Sequence, residues 1–397
     1  MVNYKIDSKF KYLLYSRAFR SVAIIYMSLA FSLYLAALHI EIIDIGIISG
    51  AAMLFMVFIT ISLGLLGDRY GYRIELLCAE LIALAGALIV GMSSDPMYII
   101  VGMVIAGIGG GAGGLRGVFS PGTNAFIANN YKDQNDRIRR YSYITFVGSV
   151  ASIGGSLLFA SVSPLSAFIG LLDSYRAIFL VSAAMLAASV ISILMLAEEK
   201  RPLKTTRVMK RGSANYSIKV IAANLLAGMG TGLAIPLLPL WFELSYGATA
   251  LSIGVIFTAV YLATALGSYL SSRIAHRMNT LNIASYTRLV SGGLLFAMAF
   301  SPLLIIAALL YLLRGVLAGF GSPSRTAMNV KGIDAEDYGA ATSMQGTAAR
   351  AGQLSSGLSG YLMDYYLPLP IFIGGILQMA GGVSYKILFG KRKRDDS

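Results

Sequence analysis

Cysteine is almost missing from this chain: Cys78 stands alone, so no internal disulfide framework is available. Histidine is nearly as scarce, and His39 and His276 with one thiol do not make a structural zinc site. Acids number 19 against 32 lysines and arginines, and charged residues of both signs reach only 13%. A soluble domain carries about 25% charged residues, so an ordinary water-soluble protein is excluded. No nucleophile-base or metal cluster stands out, which argues against an enzyme and leaves no cofactor to expect. The first apolar run lacks a small-residue cleavage site, so it reads as a retained anchor.

What fills the chain is hydrocarbon and glycine. Hydrophobic residues make up 56% of the 397 positions, with 43 glycines. A helix crossing a bilayer needs roughly 20 apolar residues, and such runs fall at roughly 18–40, 45–66, 74–93, 97–121, 142–162 and 175–197. A second set falls at roughly 218–241, 250–271, 281–300, 303–324, 339–362 and 368–389. The expectation is an all-α membrane protein of twelve spans, with bundles at 1–197 and 218–397 joined by a linker at 198–217. In span 7, Pro236 and Pro239 follow Gly228, Gly230 and Gly232, which predicts a kinked helix.

The net charge of +13 does not point to nucleic acid, because the basic residues fall on one side. Lys5 to Arg20 precede the first span as read here. Arg69, Arg73, Arg137, Arg140, the 200–219 segment, Arg273, Arg277, Arg325, Lys331 and the terminal Lys391-Arg-Lys-Arg394 occupy alternate loops. The opposite loops hold Arg176 and acids such as Glu41, Asp95, Asp173, Glu243 and Asp364. Basic loops mark the cytoplasmic side, so the reading is a multi-pass protein of the cell membrane with both termini cytoplasmic.

Between spans 2 and 3 lies Gly64-Leu-Leu-Gly-Asp-Arg-Tyr-Gly-Tyr-Arg73, a charged turn wedged between apolar runs. Gly64 and Gly71 permit close approach or unusual backbone angles, and Asp68 can accept from helix amides and pair with arginine, as a latch would. The turn returns weakly as Ser272-Arg-Ile-Ala-His-Arg277, and Leu115-Arg-Gly-Val118 returns as Leu313-Arg-Gly-Val316. The halves are therefore parallel repeats. A GxGxxG string within residues 107–114 is no dinucleotide site, since it lies inside an apolar span with no preceding strand.

With its turn, its weaker copy and the Gly-rich Arg/Pro segments of spans 4 and 10, the whole chain resembles the major facilitator superfamily, within it most closely the twelve-span drug and metabolite exporters. The resemblance implies that Asp68 docks near the start of span 11 when the protein is open outward. It also implies that the arginines of the turn, Arg69 and Arg73, pair with acids after span 4, for which Asp133 and Asp136 are placed. Two features depart from the pattern: Val150-Ala151 stands where an antiporter signature has Gly-Pro, and Tyr338-Gly339 precedes span 11 in place of arginine-glycine.

Charges at membrane depth are costly unless they face a cavity or a partner, and Arg116, Arg288, Arg314, Arg350 and Glu80 are such charges. By the resemblance, Arg116 and Arg314 lie on cavity-lining helices, and Arg350 is a similar case. They could bind an anionic substrate or tie helices together. Tyr26, Tyr34 and Tyr261 are expected in the same aromatic cavity, and Glu80 is the candidate proton carrier because span 1 has no carboxylate. Glu80 and Arg288 can equally serve packing. The leading reading is a monomeric, proton-coupled exporter of a small organic molecule working by alternating access in the bilayer. The alternatives are an uptake carrier for an organic anion and a non-transporting membrane receptor.

Overall fold

The computed structural model describes residues 8–108, 119–131, 134–198, 209–274, 278–334 and 337–390. Among them the first half comprises α1 (Ser8–Ala37), α2 (Ile42–Tyr70), α3 (Tyr72–Met92), α4 (Pro96–Ile105), α5 (Phe119–Asn130), α6 (Gln134–Ala160), α7 (Val162–Ile169) and α8 (Leu171–Leu194). The second comprises α9 (Arg211–Ala234), α10 (Leu238–Tyr246), α11 (Ala250–Ile274), α12 (Thr280–Met298), α13 (Leu304–Val330), α14 (Tyr338–Gln353), α15 (Ser359–Tyr365) and α16 (Leu369–Phe389). A 3₁₀ turn, Leu354–Leu358, joins α14 to α15. Nine of the described helices are long and apolar enough to cross a membrane. Counted with α12, with α4 and α5 as one span and with α14 and α15 as another, they are consistent with the twelve expected crossings.

Local chemistry sets several boundaries. Asp95 accepts from the Met97 amide at 2.8 Å and Pro96 opens α4, while Asn279 accepts from the Leu281 amide at 2.9 Å to open α12. The expected kink in span 7 is a full break: α9 stops at Ala234, and α10 restarts at Leu238 with Pro239 in its first turn. The 3₁₀ turn in span 11 had no such signal.

The first span begins ten residues before its expected start, at Ser8. Arg17 and Arg20, read from sequence as loop residues, are buried on α1. Hydropathy places a span's edge at its first charge, but these charges find partners inside. Arg325 is likewise helical, because α13 runs on to Val330.

The start of α1 and the end of α16 share one face, here termed the basic end. Tyr216 of α9 packs on Phe389 of α16 with ring centroids 5.2 Å apart, and Arg140 of α6 covers Phe10 of α1 at 4.7 Å. At the opposite, acidic end, the Tyr246 hydroxyl lies 2.8 Å from the Ser301 carbonyl. Apolar side chains such as Phe58, Leu65, Phe300, Ile305 and Leu309 are exposed on the helices, as a lipid-facing surface requires.

Candidate transport site

The halves are sealed against each other near the acidic end. There α2 approaches the 3₁₀ turn and α15 so closely that a Cβ on Gly46 would stand 2.4 Å from the Gly360 amide nitrogen, and one on Gly50 would stand 2.7 Å from the Gly357 Cα. Glycine is the residue that lets two transmembrane backbones meet in this way. A second seam joins α6 to α11: the Ser156 and Thr258 hydroxyls are 2.7 Å apart, and a Cβ on Gly254 would be 2.6 Å from that of Ala160. Toward the basic end of α2, Gly64 has no atom within 4 Å of its would-be Cβ. Its expected close approach is therefore not made in this arrangement.

The charged turn is built around an acid the sequence did not single out. Glu198, just past α8, accepts from the backbone amides of Tyr72 at 2.9 Å and Arg73 at 2.8 Å, at the start of α3. A carboxylate there satisfies amides that have no intrahelical partner and complements the positive end of the helix. Gly71 adopts φ +108°, and a Cβ on it would come within 2.8 Å of a Glu198 oxygen, so this glycine serves both angle and approach. The Arg73 guanidinium donates to the Leu194 carbonyl. Asp136, expected opposite Arg73, instead holds Arg140 at 3.0 Å, four residues along its own helix. Arg69 lies over the adjacent exposed Tyr70 ring at 5.4 Å. Asp133 and the side chain of Asp68 lie outside the described residues.

Among the described residues of the first half, an embedded acid meets embedded cations. Glu80, fully buried on α3, pairs with Arg20 of α1, and Arg17 is close enough to act on the same carboxylate. Arg17 lies against α6, where a Cβ on Gly148 would sit 2.6 Å from its guanidinium. Ser16 and Ser189 close the α1–α8 contact beside them with hydroxyls 2.8 Å apart. Glu75, also buried, packs between Gly67 of α2 and Gly122 of α5.

Tyr26 and Tyr34 correct the expected cavity lining. Both are wholly buried and face α8: the Tyr26 hydroxyl donates to the Tyr175 carbonyl at 2.8 Å, and the Tyr34 ring stacks on Tyr175 at 5.0 Å. Eight residues apart on α1, they share one helix face, which is turned into a core that also takes in Leu238, Trp241 and Phe257 of the second half. Tyr261 is partly buried on α11 beside Phe257, with ring centroids 6.4 Å apart. Arg116 lies outside the described residues.

The second half carries its cations differently. Arg314 of α13 reaches Gln378 of α16 at 3.5 Å and lies over Tyr311 at 5.6 Å, while its Nε is buried without a hydrogen-bond partner. Arg288 of α12 places both terminal nitrogens 3.1 Å from the Asn224 carbonyl oxygen. Arg325 donates to the Ala318 carbonyl at 2.8 Å and to Thr287 at 3.3 Å. The Tyr385 hydroxyl stands 3.0 Å from both Asn224 Oδ1 and Asn329 Oδ1. Arg350 sits on α14, partly buried. Asn224 and Gln378 are amides inside apolar runs, a signal available in the sequence and passed over.

Two repeated helical halves, packed on each other near one end and carrying cations at membrane depth, define a polytopic carrier. Comparison with known proteins agrees: the family model of the Major Facilitator Superfamily matches residues 14–219 and again 220–397, so the chain belongs to that superfamily. Its fold is similar to the crystal structure of an auto-inhibited POT family peptide transporter, at TM-score 0.73 and 12% identity over 97% of each chain. It is also similar to a mutant of the nucleoside transporter NupG, at TM-score 0.68 and 14% identity over 96% of this chain and 98% of that one. No curated protein matches the chain.

Proposed function

We propose that the chain exports a small organic molecule by alternating access, driven by the proton gradient. In this reading the bundles at 1–197 and 218–397 rock about the 198–217 linker, and the basic end faces the cytoplasm of a cell whose plasma membrane holds the protein as a monomer. The observation that carries alternating access is the asymmetry along α2: Gly46 and Gly50 are packed on backbone, whereas Gly64 of the same helix faces open space. A helix sealed at one end and unoccupied at the other fits one of two exchanging states. The geometry of the turn, with Glu198 on the α3 amides and Asp68 on the preceding helix, supports a latch that changes partner between states. Coupling falls to Glu80, the carboxylate nearest the middle of a span, whose protonation would release Arg20.

The test is flux in proteoliposomes with and without an imposed pH gradient, normalised to folded protein. Asp68→Asn is expected to cut flux several-fold while membrane insertion stays intact. Glu80→Gln is expected to keep substrate exchange but lose its response to the gradient. Accumulation by the Glu80→Gln protein under a pH gradient alone would remove the proton from the coupling scheme.

A further inference from the structure

We propose that the carried molecule is an organic anion, and that Arg288, Arg314 and Arg325 of the second half bind its anionic group. This deepens the transport reading and rests on it. The starting point is an absence visible in the sequence: between Arg211 and Phe389 the carboxylates are Glu243, Asp334, Glu336, Asp337 and Asp364. Glu243, Asp334, Asp337 and Asp364 lie at span ends or in connections, so among the described residues no span of this half brings an acid to membrane depth. Asp334 is in addition engaged by the Lys210 ammonium at 2.9 Å, and Asp337 by the Lys210 amide at 3.2 Å.

Arg325 nevertheless reaches α12 beside Arg288, donating to Thr287 at 3.3 Å, and turns back along α13 toward Arg314, donating to the Ala318 carbonyl at 2.8 Å. Their recorded partners are neutral: an asparagine, a glutamine, a threonine, a backbone carbonyl and tyrosine rings. Neutral dipoles can orient a guanidinium but do not cancel its charge, and uncompensated charge at membrane depth is expensive. The amide oxygen of Asn224 is crowded by two Arg288 nitrogens and the Tyr385 hydroxyl, as though standing in for a stronger acceptor. Arg314 keeps a buried Nε unused. A carboxylate, sulfonate or phosphate ester would supply both the missing charge and the missing acceptors, in the planar fork geometry that suits arginine. Arg288, Arg314, Arg325 and Asn224 each retain some exposure, so the group is not sealed off.

The same oxyanion chemistry could come from a phospholipid headgroup, and the experiment separates the two. Full-length protein is placed in nanodiscs of phosphatidylcholine, with or without phosphatidylglycerol. Its melting temperature is read against three ligands of one shape: naphthalenesulfonate, naphthylmethylammonium and naphthylmethanol. The sulfonate is expected to raise the melting temperature by several degrees in pure phosphatidylcholine, and the other two are not. Arg288→Gln and Arg325→Gln should each abolish the shift, and Arg325→Lys should restore part of it. Arg176→Gln, at the acidic end and paired with Asp173, should leave it unchanged.

Stabilisation by the ammonium ligand or the alcohol equal to that by the sulfonate overturns the proposal, as does a sulfonate shift that survives the glutamine variants. Stabilisation by phosphatidylglycerol alone also overturns it, since the cluster then holds lipid. Exchange of the bound sulfonate across proteoliposomes separates this proposal from the transport reading. Binding without exchange sinks the carrier and spares the anion site, and exchange confined to the uncharged ligand does the reverse.

Discussion

The two halves repeat one architecture yet, among the described residues, give their buried cations different partners. In the first, Arg20 is matched by Glu80 and Arg140 by Asp136. In the second, Arg288, Arg314 and Arg325 rest on neutral amides, hydroxyls and carbonyls. A compensated pair is a closed account that holds helices together, while an uncompensated cluster leaves a positive field that something else can answer. The repeat thus separates the pair to which coupling is assigned from the cluster to which recognition is assigned, and the largest expected effects on stability follow from disturbing the compensated side.

Glu80→Gln should be the most damaging substitution for stability, because it leaves Arg17 and Arg20 buried without their carboxylate. Breaking one member of a buried pair costs about 3–5 kcal/mol. The melting temperature in detergent should fall far below wild type, and Arg20→Leu combined with Glu80→Leu should recover most of the loss. Arg325→Gln removes a charge already repelled by its neighbours, so it should change stability by no more than about 1 kcal/mol. If Arg325→Gln proves the more damaging, the contrast between the halves collapses.

Much of the fold was legible in the sequence, because length, hydropathy and proline act locally. The break between α9 and α10 follows from Pro236 and Pro239, and the apolar runs anticipated the long helices of both halves. The site was less legible. Tyr26 and Tyr34 lie on a helix that is apolar nearly all round, and such a helix carries no periodicity to say which face meets its own bundle. Arg20 and Glu80 are 60 residues apart, so their pairing is tertiary; Glu80 was read at membrane depth, while the charge of Arg20 alone suggested a loop. Glu198 sits at the edge of the linker, where one more acid among charged neighbours is unremarked until the α3 amides are seen to point at it.

The turn that Glu198 organises gives the next effect in size. Gly71→Ala must place a Cβ at φ +108° and within 2.8 Å of the Glu198 carboxylate. Strain of that kind costs about 1–3 kcal/mol. Glu198→Gln keeps the shape but weakens the charge-assisted bonds, so it should fall short of Gly71→Ala in a thermal melt. A larger loss for Glu198→Gln would mean that charge, rather than backbone angle, holds the turn.

At the acidic-end seal, Gly360→Ala should shift the balance between states more than it unfolds the protein. Its Cβ would stand 2.2 Å from the Ile42 carbonyl oxygen, so the halves must part there to accept it. A penalty of about 1–2 kcal/mol on the sealed state shifts its ratio to the open one by roughly ten-fold. With Cys78 replaced, spin labels on the acidic ends of α2 and α15 should report a longer distance. An unchanged distance with a lowered melting temperature would make this contact mere packing.

The smallest effect belongs to Gly64, and it sharpens the comparison along α2 instead of between halves. No atom lies within 4 Å of its would-be Cβ, so alanine costs nothing sterically in this arrangement. Within a helix, alanine is favoured over glycine by up to about 1 kcal/mol. Gly64→Ala should therefore raise the melting temperature slightly, in contrast to Gly46→Ala, which meets backbone at 2.4 Å and should lower it. If the halves close on this end of α2 in the other state, the added methyl obstructs that closure, and flux should slow although the protein has become more stable. Stability and flux moving in opposite directions would be the signature of a glycine retained for a state not seen here. A Gly64→Ala protein with wild-type flux would show that the basic end closes without help from this position, and the motif turn would then act through Gly71 and Glu198 alone.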